Sequence, residues 1–153
     1  MKLLALLRHA RAEASSASGL DFDRRLDPSG TEDAQALGMM MREHATGYDL
    51  RLSSPASRAV ETARQAGLEP ELDQRIYEAG TGELLSIVQS IDDGAASVLL
   101  IGHNPGFEHL ASLLAGSIVP MPTGTLVELE LAIEHWSETA AGAGQVRRLL
   151  SPR

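Results

Sequence analysis

Four basic side chains stand just beyond the ends of predicted β-strands, where ligand-binding and reactive groups are often placed. They are Arg8 and His9 after the run Lys2–Leu7, Arg58 after the run Leu50–Ser53, and His103 after the run Ser97–Ile101. Ligands of open α/β sheets bind at the carboxyl ends of the strands, so we expect these side chains to converge on one crevice. Guanidinium groups suit the charged oxygens of a phosphoryl group in transit. The pattern therefore predicts phosphoryl transfer, in which His9 attacks and Arg8 holds the group attacked.

The surroundings of Arg58 favour an anion site. Ser54 is a typical helix cap and Pro55 a typical first helical residue, which places Arg58 in the first turn of a helix. Free backbone N–H groups and the positive end of the helix dipole stabilise an anion there. Neighbouring arginines disfavour a protonated imidazole, so they are expected to keep one histidine neutral and nucleophilic. Neighbours in an extended strand point to opposite faces, so Arg8 and His9 share a pocket only if the chain has left the strand.

The elements that must position these residues alternate between strand and helix. Two further strand-like runs are Thr125–Leu131 and Val146–Leu150. Four helices are predicted between the strands. The first starts at a capping box at Ser29–Glu32 and closes at Gly47, and the second starts at the Ser54-Pro55 cap. The third follows the apolar stripe Leu84–Ile91, and the fourth starts at the Asn104-Pro105 cap and ends at Gly116. This alternation predicts an α/β fold, a three-layer α/β/α sandwich with a mostly parallel central sheet. The run Thr125–Leu131 alternates apolar and acidic residues, which favours an antiparallel strand at or near the sheet's edge.

Composition excludes several classes of protein. The chain has 153 residues, a formal net charge of −8 and no cysteine. Its length and lack of a linker predict one domain over residues 1–153. The acidic balance disfavours nucleic acid and anionic membranes as partners, because both require a broad Lys/Arg surface. The sequence has no metal-binding motif and no nucleotide-binding loop, so neither a metal nor a nucleotide cofactor is predicted. The absence of a signal peptide and of a membrane span predicts a cytoplasmic protein.

Several segments together resemble the histidine phosphatase superfamily. The segment LLRHARAE resembles the family's RHG signature, with Ala10 in place of the glycine, a replacement common in the short SixA branch of phosphohistidine phosphatases. The segments DRRLDPSG, LSSPASRAVETA, LLIGHNPG and MPTGTLVELEL are similar to further parts of that branch. The match runs from about Leu3 to Leu131 in the family's order. The resemblance implies a phosphoglycerate mutase-like fold and a phosphatase that needs no metal or other cofactor.

The resemblance also implies roles for the residues at the strand ends. His9 would be the nucleophile that forms a phosphohistidine intermediate, which water then hydrolyses. Arg8, Arg58 and His103 would complete the phosphate pocket, with His103 as a donor that stabilises charge on the transferring group.

Three further candidates for substrate binding follow the first strand. Arg11 belongs to the turn after His9, and a surface position is an equal alternative for it. Ser15 stands about where longer relatives carry a phosphate-contacting asparagine. Arg24 matches the arginine before the family's Leu-x-x-x-Gly stretch, and a surface position is an equal alternative for it too. Arg25 stands where the family usually has proline, so Arg24 and Arg25 are both candidates to reach the site.

The general acid is harder to assign. Phosphomonoesterases of the superfamily often carry an aspartate directly after the second histidine, but Asn104 stands there and has no acidic proton. Glu78 is the candidate, with Glu83 behind it, and an exposed loop carboxylate is the alternative interpretation of Glu78. Phosphohistidine depends less on a protein acid, because its imidazole ring can carry its own proton.

The sequence therefore predicts a SixA-like phosphatase that acts on phosphohistidine in a partner protein. The alternatives are a phosphomonoesterase for small phosphate esters and a non-catalytic phosphate-binding module. A mutase is disfavoured, because the chain is too short to build a lid over the intermediate. The other histidines, His44, His109 and His135, have no predicted role, and His109 is not expected to share a helix face with His103. The oligomeric state stays open.

Overall fold

A computed structural model describes all residues from 1 to 153 and contains one six-stranded mixed sheet. The strands are β1 (Lys2–Arg8), β2 (Leu50–Ser53), β3 (Glu71–Leu72), β4 (Ser97–Gly102), β5 (Leu126–Leu131) and β6 (Gly144–Leu150). Their order across the sheet is β3-β2-β4-β1-β5-β6. Strands β1, β2, β3 and β4 are parallel, whereas β5 and β6 are antiparallel to their neighbours. The predicted fold class and the antiparallel strand near the edge are confirmed.

Four α-helices cover the two faces of the sheet. They are α1 (Pro28–Glu43), α2 (Ser57–Gln65), α3 (Thr81–Gln89) and α4 (Gly106–Ala115). Alternate residues of β1 serve different cores, because successive side chains of a strand point to opposite faces. Leu4 and Leu6 pack with α3 and α4, while Ala5 and Leu7 pack with α1 and α2. This explains why the first strand is a continuous apolar run rather than an alternating one. None of the four helices combines the length and the apolar character that crossing a membrane requires.

The helix starts differ from the sequence expectation in detail. Helix α1 begins at Pro28 and is capped by Asp27, whose side chain accepts a 2.7 Å hydrogen bond from the amide of Gly30, so the predicted capping box at Ser29 is wrong. The physical reason is that proline needs no N–H partner at the first helical position and fixes the backbone there. The helix also ends at Glu43, earlier than the predicted close at Gly47.

Two further predicted caps lie outside their helices. Helix α2 begins at Ser57, and Ser54 instead accepts a 3.2 Å hydrogen bond from the amide of Ala56 in the turn before the helix. Helix α4 begins at Gly106, although the Asn104 side chain still accepts a 3.2 Å bond from the Glu108 amide in its first turn. Irregular turns therefore separate these strands from the helices that follow them, and those turns form the site described below. The two-residue strand β3 was not predicted, because so short a segment carries no periodicity.

The contact between α1 and α2 gives a test of this packing. A Cβ atom on Gly38 would lie 2.5 Å from the backbone oxygen of Ala66, so G38A is expected to lower the free energy of unfolding by about 1–3 kcal/mol. Gly82 in α3 has open space around its Cα, so G82A is the matched control and should be neutral or stabilising by up to about 1 kcal/mol. Urea denaturation measures both. Equal stability changes in the two variants would contradict the close approach of the helices.

Candidate active site

The turn after β1 holds His9 at the centre of the sheet's carboxyl edge. The strand ends at Arg8, and the His9 amide donates a 3.0 Å hydrogen bond to the carbonyl of Gly102 at the end of β4. The next amide, of Ala10, donates a 2.9 Å bond to the hydroxyl of Thr62 in α2. The chain therefore leaves the strand after Arg8, as sharing of one pocket by Arg8 and His9 requires. Backbone and side-chain bonds from two other elements fix the position of the His9 ring.

One hydrogen bond fixes which nitrogen of His9 is free. Nδ1 lies 2.7 Å from the carbonyl oxygen of Ala10, and a carbonyl can only accept, so Nδ1 carries the proton and donates. The lone pair is therefore on Nε2. Burial lowers the pKa of His9 to about 4; the Ala10 bond opposes this shift, and the charges of Arg58 and Arg8 add to it. The ring is thus neutral at physiological pH, with a free lone pair on Nε2.

His103 faces His9 with a ring-centroid separation of 5.2 Å. Its Nε2 atom lies 2.7 Å from the Ser54 hydroxyl oxygen, which already accepts from the Ala56 amide. A serine hydroxyl can donate once and accept twice, so with the ring proton on Nδ1 the Ser54 hydroxyl donates to Nε2; Nδ1 is a buried atom without a protein partner. Burial, together with the neighbouring His9 and Arg58, lowers the pKa of His103 to about 3. His103 is accordingly neutral, and its Nδ1 atom is the ring nitrogen left without a protein partner.

Two arginines from different elements retain N–H groups for an oxyanion. Arg58 is the second residue of α2 and donates to Asp21, at 2.9 Å to its carbonyl and at 3.1 Å to its carboxylate. Arg8 donates to the carbonyl of Met121 at 3.1 Å. A guanidinium has five N–H groups, and the Nε atoms of both arginines are buried without a protein partner. Both arginines can therefore also contact a phosphoryl group.

Asp21 is a component of the site that the sequence did not reveal. Its carboxylate accepts hydrogen bonds from Arg24 at 3.0 Å, from Arg58 at 3.1 Å and from the hydroxyl of Tyr77 at 2.9 Å. Burial would raise the pKa of Asp21, but the bonds from Tyr77 and Arg24 and the charge of Arg58 lower it to about 2. Asp21 is therefore ionised at neutral pH. Its only sequence signal is a place three residues before Arg24, and the short 3-10 turn Asp21–Asp23 in which it lies has no recognisable sequence pattern.

A cleft of about 310 Å³ opens beside His103, whose ring faces that of His9. Its polar side chains are Arg58, Glu78, Thr81, His103, Asn104 and His109. Glu78 is exposed on the cleft wall, so the structure brings the acid candidate into the same cleft as Arg58 and His103. Glu83 instead accepts from the Gly80 amide at 3.2 Å at the start of α3.

His109 also lines this cleft, although no role is predicted for it from the sequence. Helical spacing does not relate His109 to His103, because α4 starts only at Gly106 and His103 lies before the helix.

The weaker substrate-binding candidates separate into two groups. Ser15 and Arg24 line a neighbouring pocket of about 330 Å³ together with Asp21. Arg11 is not brought to the site, because its exposed side chain pairs at 2.9 Å with Asp27, the cap of α1. Arg25 is an exposed partner of Glu61, so Arg24 is the arginine of this pair that the structure brings to the site.

Two further observations, on Asn104 and on metal binding, complete the description of the site. Asn104 donates to the carbonyl of Met121 at 3.0 Å and to Glu108 at 3.3 Å, so its amide holds the loop that also binds Arg8. No group of three or more His, Asp or Glu side chains is arranged to hold a metal ion.

The chain is similar to known proteins in sequence and in fold. The model of the histidine phosphatase superfamily (branch 1) matches residues 4–95. An uncharacterized protein of Mycobacterium tuberculosis strain H37Rv is 27% identical over 160 residues, which cover 96% of this chain and 100% of the relative. A solved structure assigned as the phosphohistidine phosphatase SixA of Nakamurella multipartitia has a TM-score of 0.86 at 24% identity, covering 99% of this chain and 96% of that one. The protein histidine phosphatase SixA complexed with tungstate has a TM-score of 0.82 at 22% identity, covering 98% and 97%.

The tautomer and charge of His9 can be tested by NMR titration of the imidazole signals. Burial places the His9 transition near pH 4, the value to which its pKa is lowered. His135 is the internal control, because its 2.9 Å bond to Asp93 raises its pKa above the ordinary value. The neutral, reactive form of His9 should therefore persist through the neutral range and disappear only as the pH falls through about 4. A His9 signal that titrates with or above that of His135 would contradict the buried neutral ring.

The link through Thr62 can be tested by substitution. Its hydroxyl accepts from the Ala10 amide and donates to the Arg58 carbonyl at 2.7 Å, so T62V keeps the shape but leaves the buried Ala10 amide unpaired. We expect T62V to lose about 1–3 kcal/mol of unfolding free energy. Misplacement of the His9 turn should also lower kcat by about tenfold or more, the size of rate loss expected when a reacting group is slightly misaligned. T62S, which keeps the hydroxyl, should retain most of both quantities, and equal losses in T62S and T62V would reject the role of this hydrogen bond.

Proposed function

The chain belongs to the histidine phosphatase superfamily, and we propose that it removes the phosphoryl group from phosphohistidine on a partner protein by way of a phosphorylated His9. The observation that carries the proposal is the neutral, buried Nε2 of His9, which lies among Arg8, Arg58 and His103. An unprotonated imidazole is a competent nucleophile for phosphorus, and guanidiniums suit the charged oxygens around it. The family assignment supports phosphatase activity, and the substrate is the new part of the proposal.

In the first step, the Nε2 lone pair of His9 attacks phosphorus in line with the leaving group. A bond forms between Nε2 and phosphorus, and the bond between phosphorus and the partner's ring nitrogen breaks with its electron pair on that nitrogen. If the partner's ring carries a proton on its other nitrogen, it leaves as neutral imidazole. Arg8 and Arg58 hold the equatorial oxygens, and His103 donates to one of them. The bond from Nδ1 to Ala10 persists and stabilises the cationic phosphorylated ring.

In the second step, water attacks the phosphorylated His9. The bond between Nε2 and phosphorus breaks, its electron pair returns to Nε2, and the proton lost by water passes to the phosphate product. His9 is thereby regenerated in its starting tautomer, because Nδ1 has kept its proton throughout. No step uses a group outside the chain other than substrate and water.

Two features support phosphohistidine as the substrate. The residue after His103 is Asn104, whose amide is not an acid and is bonded to Met121 and Glu108. A leaving imidazole that brings its own proton has little need of an acid there. The SixA structures of the same fold are those of proteins named as histidine phosphatases, which points in the same direction.

A second function is favoured by the cleft itself. Glu78 and His109 lie on its wall, and either type of side chain can protonate the alkoxide that leaves a phosphate ester. A phosphomonoesterase for small esters is therefore the alternative activity. Glu78 is its candidate general acid.

The covalent step is tested by trapping. Wild-type protein incubated with a radiolabelled phosphohistidine peptide and quenched in alkali should carry label that is stable in alkali, labile in acid and located on His9. The variant H9Q should carry no label and lose at least about a thousandfold in kcat, in line with the loss of other catalytic nucleophiles. H44Q, which changes an exposed histidine at the end of α1, is the matched control and should behave as wild type. A non-catalytic phosphate-binding module would show no label and no turnover in either protein.

The substrate class is tested by rate comparison. We expect kcat/KM for a phosphohistidine protein to exceed that for p-nitrophenyl phosphate and for sugar phosphates by at least about tenfold. Replacing the acid candidate in E78Q should reduce turnover of the esters more than that of phosphohistidine, because only the esters need a protein acid. Higher kcat/KM for the esters in the wild type would reject the phosphohistidine proposal and favour the phosphomonoesterase.

A further inference from the structure

The guanidinium of Arg8 is oriented by a loop rather than by a carboxylate. Its Nη1 atom donates a 3.1 Å hydrogen bond to the carbonyl of Met121, which lies in the segment between α4 and β5. Arg58, in contrast, donates directly to the carboxylate of Asp21 at 3.1 Å. A guanidinium is planar, so a bond to one of its nitrogen atoms also sets the direction of the others. The position of Met121 therefore decides where the buried, unpartnered Nε–H group of Arg8 points.

Glu108 in α4 fixes the backbone of Met121. One oxygen of its carboxylate, Oε2, accepts a 2.8 Å hydrogen bond from the Met121 amide and a 3.3 Å bond from the side-chain amide of Asn104. The same Asn104 nitrogen donates at 3.0 Å to the Met121 carbonyl, and the Asn104 side-chain oxygen accepts at 3.2 Å from the Glu108 amide. Glu108, Asn104 and Met121 are thus joined in a closed set of hydrogen bonds, and Arg8 is bonded to one member of it.

The other end of the same loop is bonded to the turn that carries His9. The amide of Gly124 donates to the carbonyl of Arg8 at 3.1 Å and to that of His9 at 3.0 Å. Gly124 has a φ of 72°, in the left-handed region that favours glycine. These bonds hold the backbone of Arg8 and not its side chain. Gly124 therefore fixes the strand end, while the Glu108 carboxylate fixes the residue whose carbonyl orients the guanidinium.

The charge of Glu108 acts on Arg8 as well. Burial lowers the pKa of Arg8 below its ordinary value, and the negative charge of Glu108 opposes this shift. Glu108 also lies in the first turn of α4, where a carboxylate is favoured by the helix dipole. The reach of the Glu108 oxygen and the charge of its carboxylate therefore have to be varied separately.

We propose that Glu108 is a positioning residue, which directs the Arg8 guanidinium at the phosphoryl group through the Met121 carbonyl. It acts through Arg8 and not on the reacting atoms. The proposal rests on the proposed phosphate site, but it does not depend on which leaving group the natural substrate carries. Loss of the Glu108 oxygen would free Met121 to move, and Arg8 would then meet the phosphoryl oxygens at a poorer angle.

Two substitutions separate reach from charge. E108D keeps the charge in the first turn of α4 but shortens the side chain by one methylene group, which withdraws the acceptor from the Met121 amide. E108Q removes the charge but keeps an oxygen at full reach. The dissociation constant of inorganic phosphate, measured by calorimetry, should rise by about tenfold or more in E108D, the size expected for loss of one hydrogen bond to a charged group. In E108Q it should rise by no more than about twofold, because the acceptor is retained.

NMR of the arginine side chains shows where the effect lies. In the phosphate-free protein, E108D should shift the Nε–H signal of Arg8, because the Met121 carbonyl that orients this guanidinium is no longer fixed. The Nε–H signal of Arg58 should stay in place, because that guanidinium is held by Asp21 instead. E108Q should leave both signals close to their wild-type positions.

E138D is the matched control. The Glu138 carboxylate also accepts hydrogen bonds from two backbone amides, in the connection between β5 and β6. That connection follows Leu131, which pairs with Lys2 at the start of β1, so it lies at the opposite edge of the sheet from His9. E138D should bind phosphate as the wild type does and leave both arginine signals unchanged.

Three results would overturn the positioning role and leave the phosphatase proposal intact. They are a wild-type affinity for phosphate in E108D, a loss of affinity in E108Q as large as or larger than that in E108D, and a shift of the Arg58 signal as large as that of the Arg8 signal. Failure of the wild-type protein to bind phosphate would instead overturn the phosphate site and the positioning role together.

Discussion

The hydrogen bond from Nδ1 of His9 to the carbonyl of Ala10 is the interaction on which the site depends. It directs the lone pair of the ring to Nε2, and it holds the ring in the turn where the central strand β1 ends. The same turn is bonded to β4 through Gly102 and to α2 through Thr62. The reactive ring is therefore placed by backbone and buried hydroxyl groups, which move less than long side chains do. A rigid scaffold of this kind is what near-attack geometry requires.

The burial that positions His9 also sets its charge. A buried imidazole beside guanidiniums loses its proton more readily than one in water, which is why His9 and His103 are both neutral. In the mechanism we propose, attack creates a cationic phosphorylated ring next to the same guanidiniums, so apart from the bond to Ala10 the intermediate is held mainly by its phosphoryl oxygens. Those surroundings then favour return to the neutral ring. In that proposed mechanism, this difference between the two states favours the second step, which returns the free enzyme.

Sequence reasoning located the residues that follow strands and missed those held only by tertiary contacts. Strands β2, β4 and β1 are adjacent in the sheet, so the residues at their ends had to meet, and the structure brings His9, Arg58 and His103 together. The caps were misplaced because Ser54 and Asn104 bond side chains and turns instead of starting helices. Asp21 and Tyr77 could not be predicted, since they lie in irregular segments and meet across 56 positions of sequence. No period or spacing reports such a contact.

The distribution of charge explains why a protein of net charge −8 can bind a phosphoryl group at all. Its guanidiniums are not spread over the surface, where carboxylates and salt would screen them, but are partly buried at strand ends, where their field is less screened. Asp21 moderates that field. Three arginines without a counter-charge would hold the phosphate product as strongly as the substrate, which lowers KM without raising turnover. One carboxylate bonded to two of the three reduces the general attraction for phosphate while its position leaves the buried Nε atoms free. Affinity for phosphate is thus adjusted by a residue that takes no part in the proposed chemistry.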